Sequence, residues 1–278
     1  MGKVSIAGRE VNPIGLGTLH MGDDPSQLKQ ELKAIRTGLD NGVQVLDTAE
    51  MYGSGNSEKF LSKAIEPYKR EDLFLISKVL PPNASKKQLP ISLENSLKRL
   101  NVDYLDLYLL HWQGQVPLEE TVEALEKTKN QGKIRAWGVS NLDTNELKNV
   151  ISLPEGKDCS ANQLRYNLRD RGIEYDLIPE MNQYNIPVIA YAPVDRGKQL
   201  VKETVIQQIA EKHGVDAFQI LLAWTVRNGN TIAIPQSSNE AHVYNNIQAA
   251  NIKLSEDDLK KIDKLYPKPT SKQPLALW

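Results

Sequence analysis

Short apolar runs alternate along the chain with longer segments in which apolar residues recur at helical spacing. The runs are continuously apolar, which is typical of strands buried on both faces of a parallel sheet. Eight such strands are predicted, near 14–18, 43–47, 73–78, 105–110, 134–138, 159–163, 187–191 and 231–234. Helices are predicted between them, including 27–41, 57–66, 91–100, 118–131 and 143–151. This alternation fits an α/β fold of the (β/α)8 TIM barrel class.

Three additions interrupt or extend the alternation. Residues 4–11 predict an N-terminal β-hairpin that turns at Ala7 and Gly8, a size suited to closing the bottom of a barrel. Residues 202–212 and 216–227 predict two extra helices before the eighth strand, and 255–265 predict a C-terminal helix followed by the proline-rich tail 267–278. Gly42 and Gly132 lie where helices must stop, a position that favours a left-handed backbone. Additions of this kind usually line or cover a site.

Length and charge narrow the range of functions. The 278 residues suit one barrel domain, residues 1–278. Lys and Arg total 34 against 35 Asp and Glu, so no global field favours a nucleic acid or a membrane. The single cysteine, Cys159, cannot form an internal disulfide, and the chain has neither an N-terminal signal nor a membrane-length apolar run, which predicts a cytoplasmic protein. No His and Cys residues stand at metal-ligand spacing, so no metal site is expected.

Polar residues end three of the predicted strands. Asp47, Lys78 and His111 each close an apolar run, and Tyr52 follows the first run by five residues. Because the carboxyl ends of parallel barrel strands meet at one mouth, we expect these four side chains to converge there. We expect the Lys78 ammonium, held by Asp47, to lower the pKa of the Tyr52 phenol. Tyr52 would then be the general acid toward a carbonyl oxygen, which His111 would orient by a hydrogen bond.

The motifs around these residues carry a family resemblance. They read Gly15-Leu16-Gly17-Thr18, Asp47-Thr48-Ala49-Glu50-Met51-Tyr52-Gly53, Ser77-Lys78, Leu109-Leu110-His111-Trp112, Gly138-Val139-Ser140-Asn141, Asn162-Gln163 and Ala190-Tyr191-Ala192-Pro193. Together they resemble the aldo/keto reductases, NAD(P)H-dependent carbonyl reductases built on the (β/α)8 barrel. The resemblance covers nearly the whole chain, and the family's catalytic tetrad falls on Asp47, Tyr52, Lys78 and His111 without substitution.

The resemblance also implies a set of cofactor-binding residues. Ser140, Asn141 and Gln163 match positions that bind the nicotinamide carboxamide, and Tyr191 matches the aromatic residue that stacks on its ring. The full set of expected cofactor-binding positions is Thr18, Leu19, Asp47, Ser140, Asn141, Gln163, Tyr191, Ala192, Val194, Ile234, Gln236, Ser237, His242, Asn245 and Asn246.

The chain departs from the family pattern after the eighth strand. Gln236 stands where the family usually has Lys, and His242 stands where it usually has Arg. Both formal charges that would meet the 2′-phosphate of NADP(H) are therefore missing, although Ser237 and the helix that begins near 239 can still bind an anion. We expect NADP(H) to bind with a weakened preference, and NAD(H) to be usable as well.

The expected substrate is a small aldehyde, ketone or dicarbonyl such as methylglyoxal. Met51, Tyr52, His111, Trp112 and Trp278 are its expected contacts, and the chain resembles the bacterial branch of the family that includes methylglyoxal and diketo-gluconate reductases. The resemblance gives a weak expectation of a monomer. Two alternatives stay open: a redox-sensing, nucleotide-binding regulatory subunit with slow turnover, and an isomerase or aldolase on the same fold.

Overall fold

The computed structural model describes residues 2–195 and 199–277. The chain begins with an antiparallel hairpin of β1 (Val4–Ile6) and β2 (Arg9–Val11). Eight parallel strands follow, and each pairs with the next one along the chain. They are β3 (Leu16–Gly17), β4 (Val45–Asp47), β5 (Phe74–Val79), β6 (Leu105–Leu110), β7 (Ile134–Ser140), β8 (Cys159–Arg165), β9 (Val188–Tyr191) and β10 (Thr231–Ala233).

The last strand returns to the first and closes the sheet. Ile14 forms a parallel bridge with Ala233, and the backbone N–H of Gly15 donates to the Ala233 carbonyl over 2.8 Å. This contact joins the two edge strands of the sheet, so the barrel has no long exposed edge. The predicted (β/α)8 barrel is confirmed.

Helices cover the outside of the barrel. The described helices are α1 (Leu28–Asp40), α2 (Asn56–Ile65), α3 (Leu89–Leu100), α4 (Leu118–Asn130), α5 (Thr144–Ser152), α6 (Leu177–Gln183), α7 (Thr204–His213), α8 (Ala217–Thr225), α9 (Glu240–Gln248) and α10 (Glu256–Leu265). The extra helices α7, α8 and α10 confirm the predicted additions within two residues at either end. Gly42 and Gly132 have φ of +87° and +74°, as their positions predicted.

The short helix α6 was not predicted separately. Its seven residues include Pro179, so it offers fewer than two apolar repeats for a periodicity argument. Strand β3 is also shorter than the predicted 14–18, because Ile14 is bridged to Ala233 without forming a continuous ladder.

The hairpin closes the amino-terminal end of the barrel, which we call the floor. Val4, Ile6 and Val11 pack into the interior cluster that also holds Val45 and Phe74 from the first residues of β4 and β5. Arg9 fixes the hairpin from outside, since its guanidinium donates to the Leu73 carbonyl over 2.7 Å. A larger apolar cluster lies between the strands and the helices. Among the described residues, no helix has the length and apolar character needed to cross a membrane.

Candidate active site

A buried ion pair stands at the opposite end of the barrel, which we call the mouth. Asp47 ends β4, and Lys78 lies on the neighbouring strand, two residues beyond the partner of Asp47 in the ladder. Because side chains on a strand repeat every two residues, both side chains point to the same face. The Lys78 ammonium donates to Asp47 Oδ2 over 2.8 Å and to the Thr48 carbonyl over 2.7 Å. Lys78 is fully buried, so burial works against its charge, but Asp47 and Tyr52 together raise the pKa of Lys78 above its usual value.

Tyr52 meets this pair from the loop after β4. The Lys78 ammonium donates to the Tyr52 hydroxyl over 3.3 Å and lies 4.8 Å from the centre of its ring. The expected direction of the Tyr52 pKa is wrong: burial raises the pKa of the phenol, and the Asp47 charge adds to that rise, so the opposing effect of Lys78 does not prevail. The phenol is therefore protonated at neutral pH, the state in which it can donate a proton.

His111 follows the last residue of β6 and faces the same cavity. Its ring centre lies 6.0 Å from that of Tyr52 and 4.9 Å from that of Trp112. Burial, helped by repulsion from Lys78, lowers the pKa of His111 to about 3. The imidazole is therefore neutral near pH 7. Within the described part of the chain, its buried Nδ1 has no hydrogen-bond partner.

A connected row of polar groups continues from Asp47 across the mouth. Gln163 Nε2 donates to Asp47 Oδ1 over 2.7 Å, and Ser140 Oγ donates to the Gln163 carbonyl over 2.9 Å. Asn141, at a left-handed φ of +58°, donates to Ser140 Oγ over 3.1 Å. The Tyr191 hydroxyl donates to Asn141 Oδ1 over 2.9 Å. Amides and a hydroxyl beside an aromatic ring can pair with a carboxamide and stack on its ring, so these residues fit the expected nicotinamide.

Asp47, Tyr52 and His111 of the tetrad line one cavity of about 510 Å³ together with this row, and Lys78 lies fully buried behind its wall. Twelve of the fifteen expected cofactor-binding residues line it, namely Thr18, Leu19, Asp47, Ser140, Asn141, Gln163, Tyr191, Ala192, Val194, Ile234, Gln236 and Ser237. His242 and Asn246 line an adjoining pocket of about 80 Å³, which shares Gln236 and Ser237 with the large cavity. Asn245 lines neither; its amide donates to Asp216 Oδ2 over 3.1 Å.

The expected substrate contacts divide into two groups. Tyr52 and His111 line the cavity. Met51 and Trp112 do not line it and are 42% and 38% exposed, although Trp112 packs against the His111 ring. The structure therefore does not place these two side chains in the cavity wall. Trp278 lies outside the described residues.

Several residues of the cavity wall were not predicted. They are Gly17, His20, Glu31, Pro193, Pro235 and Ser238. Gly17 and Pro193 lie inside motifs that carry the family resemblance, and His20, Pro235 and Ser238 each lie next to an expected cofactor-binding residue. Glu31 is different, because it reaches the cavity from α1, where it is buried and accepts a hydrogen bond from the Gly22 N–H over 2.9 Å. No sequence pattern marks that approach. Among the described residues, no group of three or more His, Cys, Asp or Glu side chains is placed to hold a metal ion.

The sequence matches known proteins along most of its length. The model of the aldo/keto reductase family matches residues 13–267. Methylglyoxal reductase YeaE of Escherichia coli is 46% identical over 268 residues, which cover 95% of this chain and 94% of that protein. Glyoxal reductase of Bacillus subtilis is 34% identical over 239 residues, which cover 84% and 82% of the two chains.

Solved structures agree with the sequence matches. An aldo/keto reductase from Klebsiella pneumoniae, crystallised with NADP and acetate, superimposes with a TM-score of 0.98 at 43% identity and covers 100% of this chain and 99% of its own. A second structure of an aldo-keto reductase from the same organism, in complex with NADPH, gives a TM-score of 0.97 at 43% identity and the same coverage.

Proposed function

Because the chain belongs to the aldo/keto reductase family, we propose that it reduces small aldehydes and dicarbonyls, methylglyoxal among them, to alcohols. The observation that carries the proposal is the buried Lys78 ammonium, which Asp47 holds against the hydroxyl of Tyr52, a residue that lines the cavity of about 510 Å³. A bound nicotinamide nucleotide supplies the hydride, which no side chain can provide. Ser140, Asn141, Gln163 and Tyr191 would hold its ring.

The four tetrad residues divide the proton transfer among them. Tyr52 donates the proton of its hydroxyl to the carbonyl oxygen, and the Lys78 ammonium stabilises the phenolate that remains. Asp47 keeps Lys78 in place. His111, neutral at working pH, donates a hydrogen bond to the same oxygen and so orients the carbonyl. The phenolate regains its proton from solvent when the cycle ends.

The size of the cavity favours a small substrate. About 510 Å³ must hold the reactive part of the nucleotide as well as the carbonyl compound. Relatives named methylglyoxal reductase and glyoxal reductase point to the same substrate class. Exposed Met51 and Trp112 are proposed to contact substrate only where it projects from the mouth.

NADPH is the proposed hydride source, with a weakened preference over NADH. NADP and NADPH bind to the Klebsiella pneumoniae aldo/keto reductase structures. In this chain Gln236, His242 and Asp216 line the adjoining pocket, and its described lining contains a carboxylate but no Lys or Arg. A fixed cation such as Lys or Arg gives a 2′-phosphate stronger hydrogen bonds than an amide such as that of Gln236 does. Comparable dissociation constants for the two nucleotides support this proposal, and a preference of about a thousandfold for NADPH would defeat it.

We further propose that the chain acts as one barrel domain, as a monomer and in the cytoplasm. All the groups assigned to the reaction come from one chain. Light scattering of the purified protein measures its mass directly, and a stable dimer would overturn the monomer.

The test of the reaction is a panel of carbonyl compounds with each reduced nucleotide, followed by loss of nicotinamide absorbance. The Tyr52→Phe variant should lose about a hundredfold to ten-thousandfold in kcat because it removes the general acid. Its nucleotide dissociation constant should stay within about threefold of the wild type, because the carboxamide row is untouched. Full activity of Tyr52→Phe would remove Tyr52 as the acid.

The panel also separates the two alternatives. Turnover of a substrate without nucleotide would indicate an isomerase or aldolase. Negligible turnover, together with a stable protein partner on purification, would indicate a regulatory subunit.

A further inference from the structure

The loop that carries Tyr52 packs through its glycine backbone, with Gly53 against Asp23 and Gly55 against Arg99, rather than through buried side chains. Between Glu50 and Gly55 no side chain is buried: Met51 is 42% exposed, Ser54 is exposed, and Tyr52 is partly buried. Gly53 and Ser54 have φ of +53° and +52°, so the backbone turns sharply just after the tyrosine. Such a conformation is unfavourable for a serine and persists only when the surrounding structure fixes it. Something must therefore hold this loop in place.

Glu50 supplies the polar contacts that do so. Its Oε1 accepts hydrogen bonds from the Leu80 N–H over 2.7 Å and from Asn83 Nδ2 over 3.0 Å, and its Oε2 accepts one from Ser92 Oγ. All three donors belong to the stretch that leads from β5 into α3. Hydrogen bonds to a carboxylate are among the stronger ones in proteins.

These contacts bring together the two chain segments whose spacing matters for the chemistry. Glu50 lies two residues before Tyr52, and Leu80 lies two residues after Lys78. The link from Glu50 to Leu80 therefore ties the phenol segment to the ammonium segment close to the point where Lys78 Nζ and the Tyr52 hydroxyl are 3.3 Å apart. We propose that Glu50 is a positioning residue that sets the distance between the Tyr52 hydroxyl and the Lys78 ammonium. This inference rests on the proposed role of Tyr52 as the acid.

A loss of Glu50 should then impair the chemical step more than nucleotide binding. Displacing a reacting group by about 1 Å can reduce a rate by about a hundredfold. Glu50→Ala should lower kcat about tenfold or more, with the nucleotide dissociation constant within about twofold. Glu50→Gln keeps an oxygen that can accept from the Leu80 N–H, so it should restore kcat to within about threefold of the wild type.

Asp106, on β6, provides a matched control, because its carboxylate also accepts from a backbone N–H at one end of β5. It is 2% exposed, and its Oδ2 accepts from the Leu75 N–H over 2.9 Å at the amino end of β5, as Glu50 does just past the carboxyl end. Asp106 lies at the floor, away from the cavity lining. Asp106→Ala should lower the melting temperature while kcat at 25 °C stays within about twofold of the wild type.

A second measurement does not depend on turnover. Protein labelled with carbon-13 in the tyrosine rings gives a Tyr52 resonance that Tyr52→Phe identifies by its absence. In the nucleotide-free protein that resonance should shift or split in Glu50→Ala, return in Glu50→Gln and stay unchanged in Asp106→Ala. If Glu50→Ala does not fold, the double variant Asn83→Ala, Ser92→Ala removes two of the three donors and should show the same change in smaller measure.

The outcomes are distinguishable. Loss of kcat in Glu50→Ala, recovery in Glu50→Gln and a changed Tyr52 resonance support the proposal. An unchanged resonance, or a loss of kcat that follows the melting temperature equally in the Glu50 and Asp106 variants, overturns it. A wild-type protein that reduces no carbonyl overturns the proposed function instead, and the resonance of Tyr52 still decides whether Glu50 positions it.

Discussion

The two ends of the barrel both contain buried ion pairs, but they use different cations. At the floor, Asp106 accepts from Arg9 over 2.9 Å and from Arg70 over 2.7 Å. Arginine stays protonated at every pH a protein survives, so this cluster fixes the hairpin and takes no part in proton exchange. At the mouth, Asp47 pairs with Lys78, which in turn contacts the Tyr52 hydroxyl. Lysine, tyrosine and histidine can all exchange protons, so the same kind of buried pair can there support chemistry.

Solvent access also differs between the two clusters. The Arg9 and Arg70 side chains are 32% and 18% exposed, so part of each side chain is in contact with water. Lys78 has no exposed surface, and its partner Asp47 is 2% exposed. A charge that is fully withdrawn from water depends entirely on its partners. The mouth is therefore the more vulnerable end, and the comparison predicts how each end responds to substitution.

The largest effect should follow the loss of the buried cation. Lys78→Met leaves Asp47 with the Gln163 amide but without a counter-charge, and we expect it to lower the free energy of unfolding by about 3–5 kcal/mol. Arg70→Met leaves Asp106 with Arg9 and the Leu75 N–H, so its cost should be about 1–2 kcal/mol. Urea unfolding near neutral pH measures both values.

A further variant separates the unpaired charge from the lost packing. Adding Asp47→Asn to Lys78→Met removes the uncompensated carboxylate and should recover part of the lost stability. Equal losses in the free energy of unfolding for Lys78→Met and Arg70→Met would contradict the conclusion that the mouth is more vulnerable than the floor. No recovery of stability in the double variant would contradict it as well.

The second effect concerns pH. Because the pKa of His111 falls from 6.5 to about 3 on folding, the unfolded chain binds a proton below pH 6.5 that the folded protein does not. The contribution of His111 to the free energy of unfolding should therefore be fully present above about pH 7.5 and should decline as the pH falls through 6.5. At about pH 5 the loss from this residue alone should reach about 2 kcal/mol.

The measurement is urea unfolding at about pH 7.5 and pH 5 for the wild type and His111→Gln. The variant cannot take up this proton, so the difference between the two pH values should shrink by about 2 kcal/mol. A pH dependence that is the same in both proteins would show that His111 is not held neutral by burial.

The comparison also explains which features the sequence could predict. The barrel follows from local patterns, because each strand is a continuous apolar run and each helix has its own apolar face. Asp47, Lys78 and His111 could be placed at the mouth because they stand at or near the carboxyl ends of strands, where a parallel barrel gathers its side chains. The location of these three residues at the mouth follows from the order of the strands. The alternation of strands and helices in the sequence already implies that order.

The features that were missed depend on contacts distant in sequence. Glu31 reaches the cavity from α1, and Gln163 meets Asp47 across 116 positions. The direction of the Tyr52 pKa could not be read from its neighbours, because it depends on how far burial outweighs the Lys78 charge. Burial is a property of the folded barrel. A residue list can name the charges but not the amount of water around them.

The smallest effect should occur at the rim of the mouth, where the charges would be exposed. Gln236 and His242 are both exposed, so a cation at either place remains hydrated and gains about 1 kcal/mol from a 2′-phosphate. The double variant Gln236→Lys, His242→Arg should thus raise the ratio of NADPH to NADH affinity by roughly tenfold to thirtyfold, measured as dissociation constants from protein fluorescence.

The control is Tyr244→Arg on the same helix as His242, which adds an exposed cation outside both pockets and should change the ratio by less than about twofold. The gain should shrink as salt rises, because screening acts on exposed charges and spares the buried pair of Lys78 and Asp47. An unchanged ratio in the double variant would mean that the 2′-phosphate binds elsewhere, and a gain that resists salt would mean that the rim is as dry as the surroundings of Lys78.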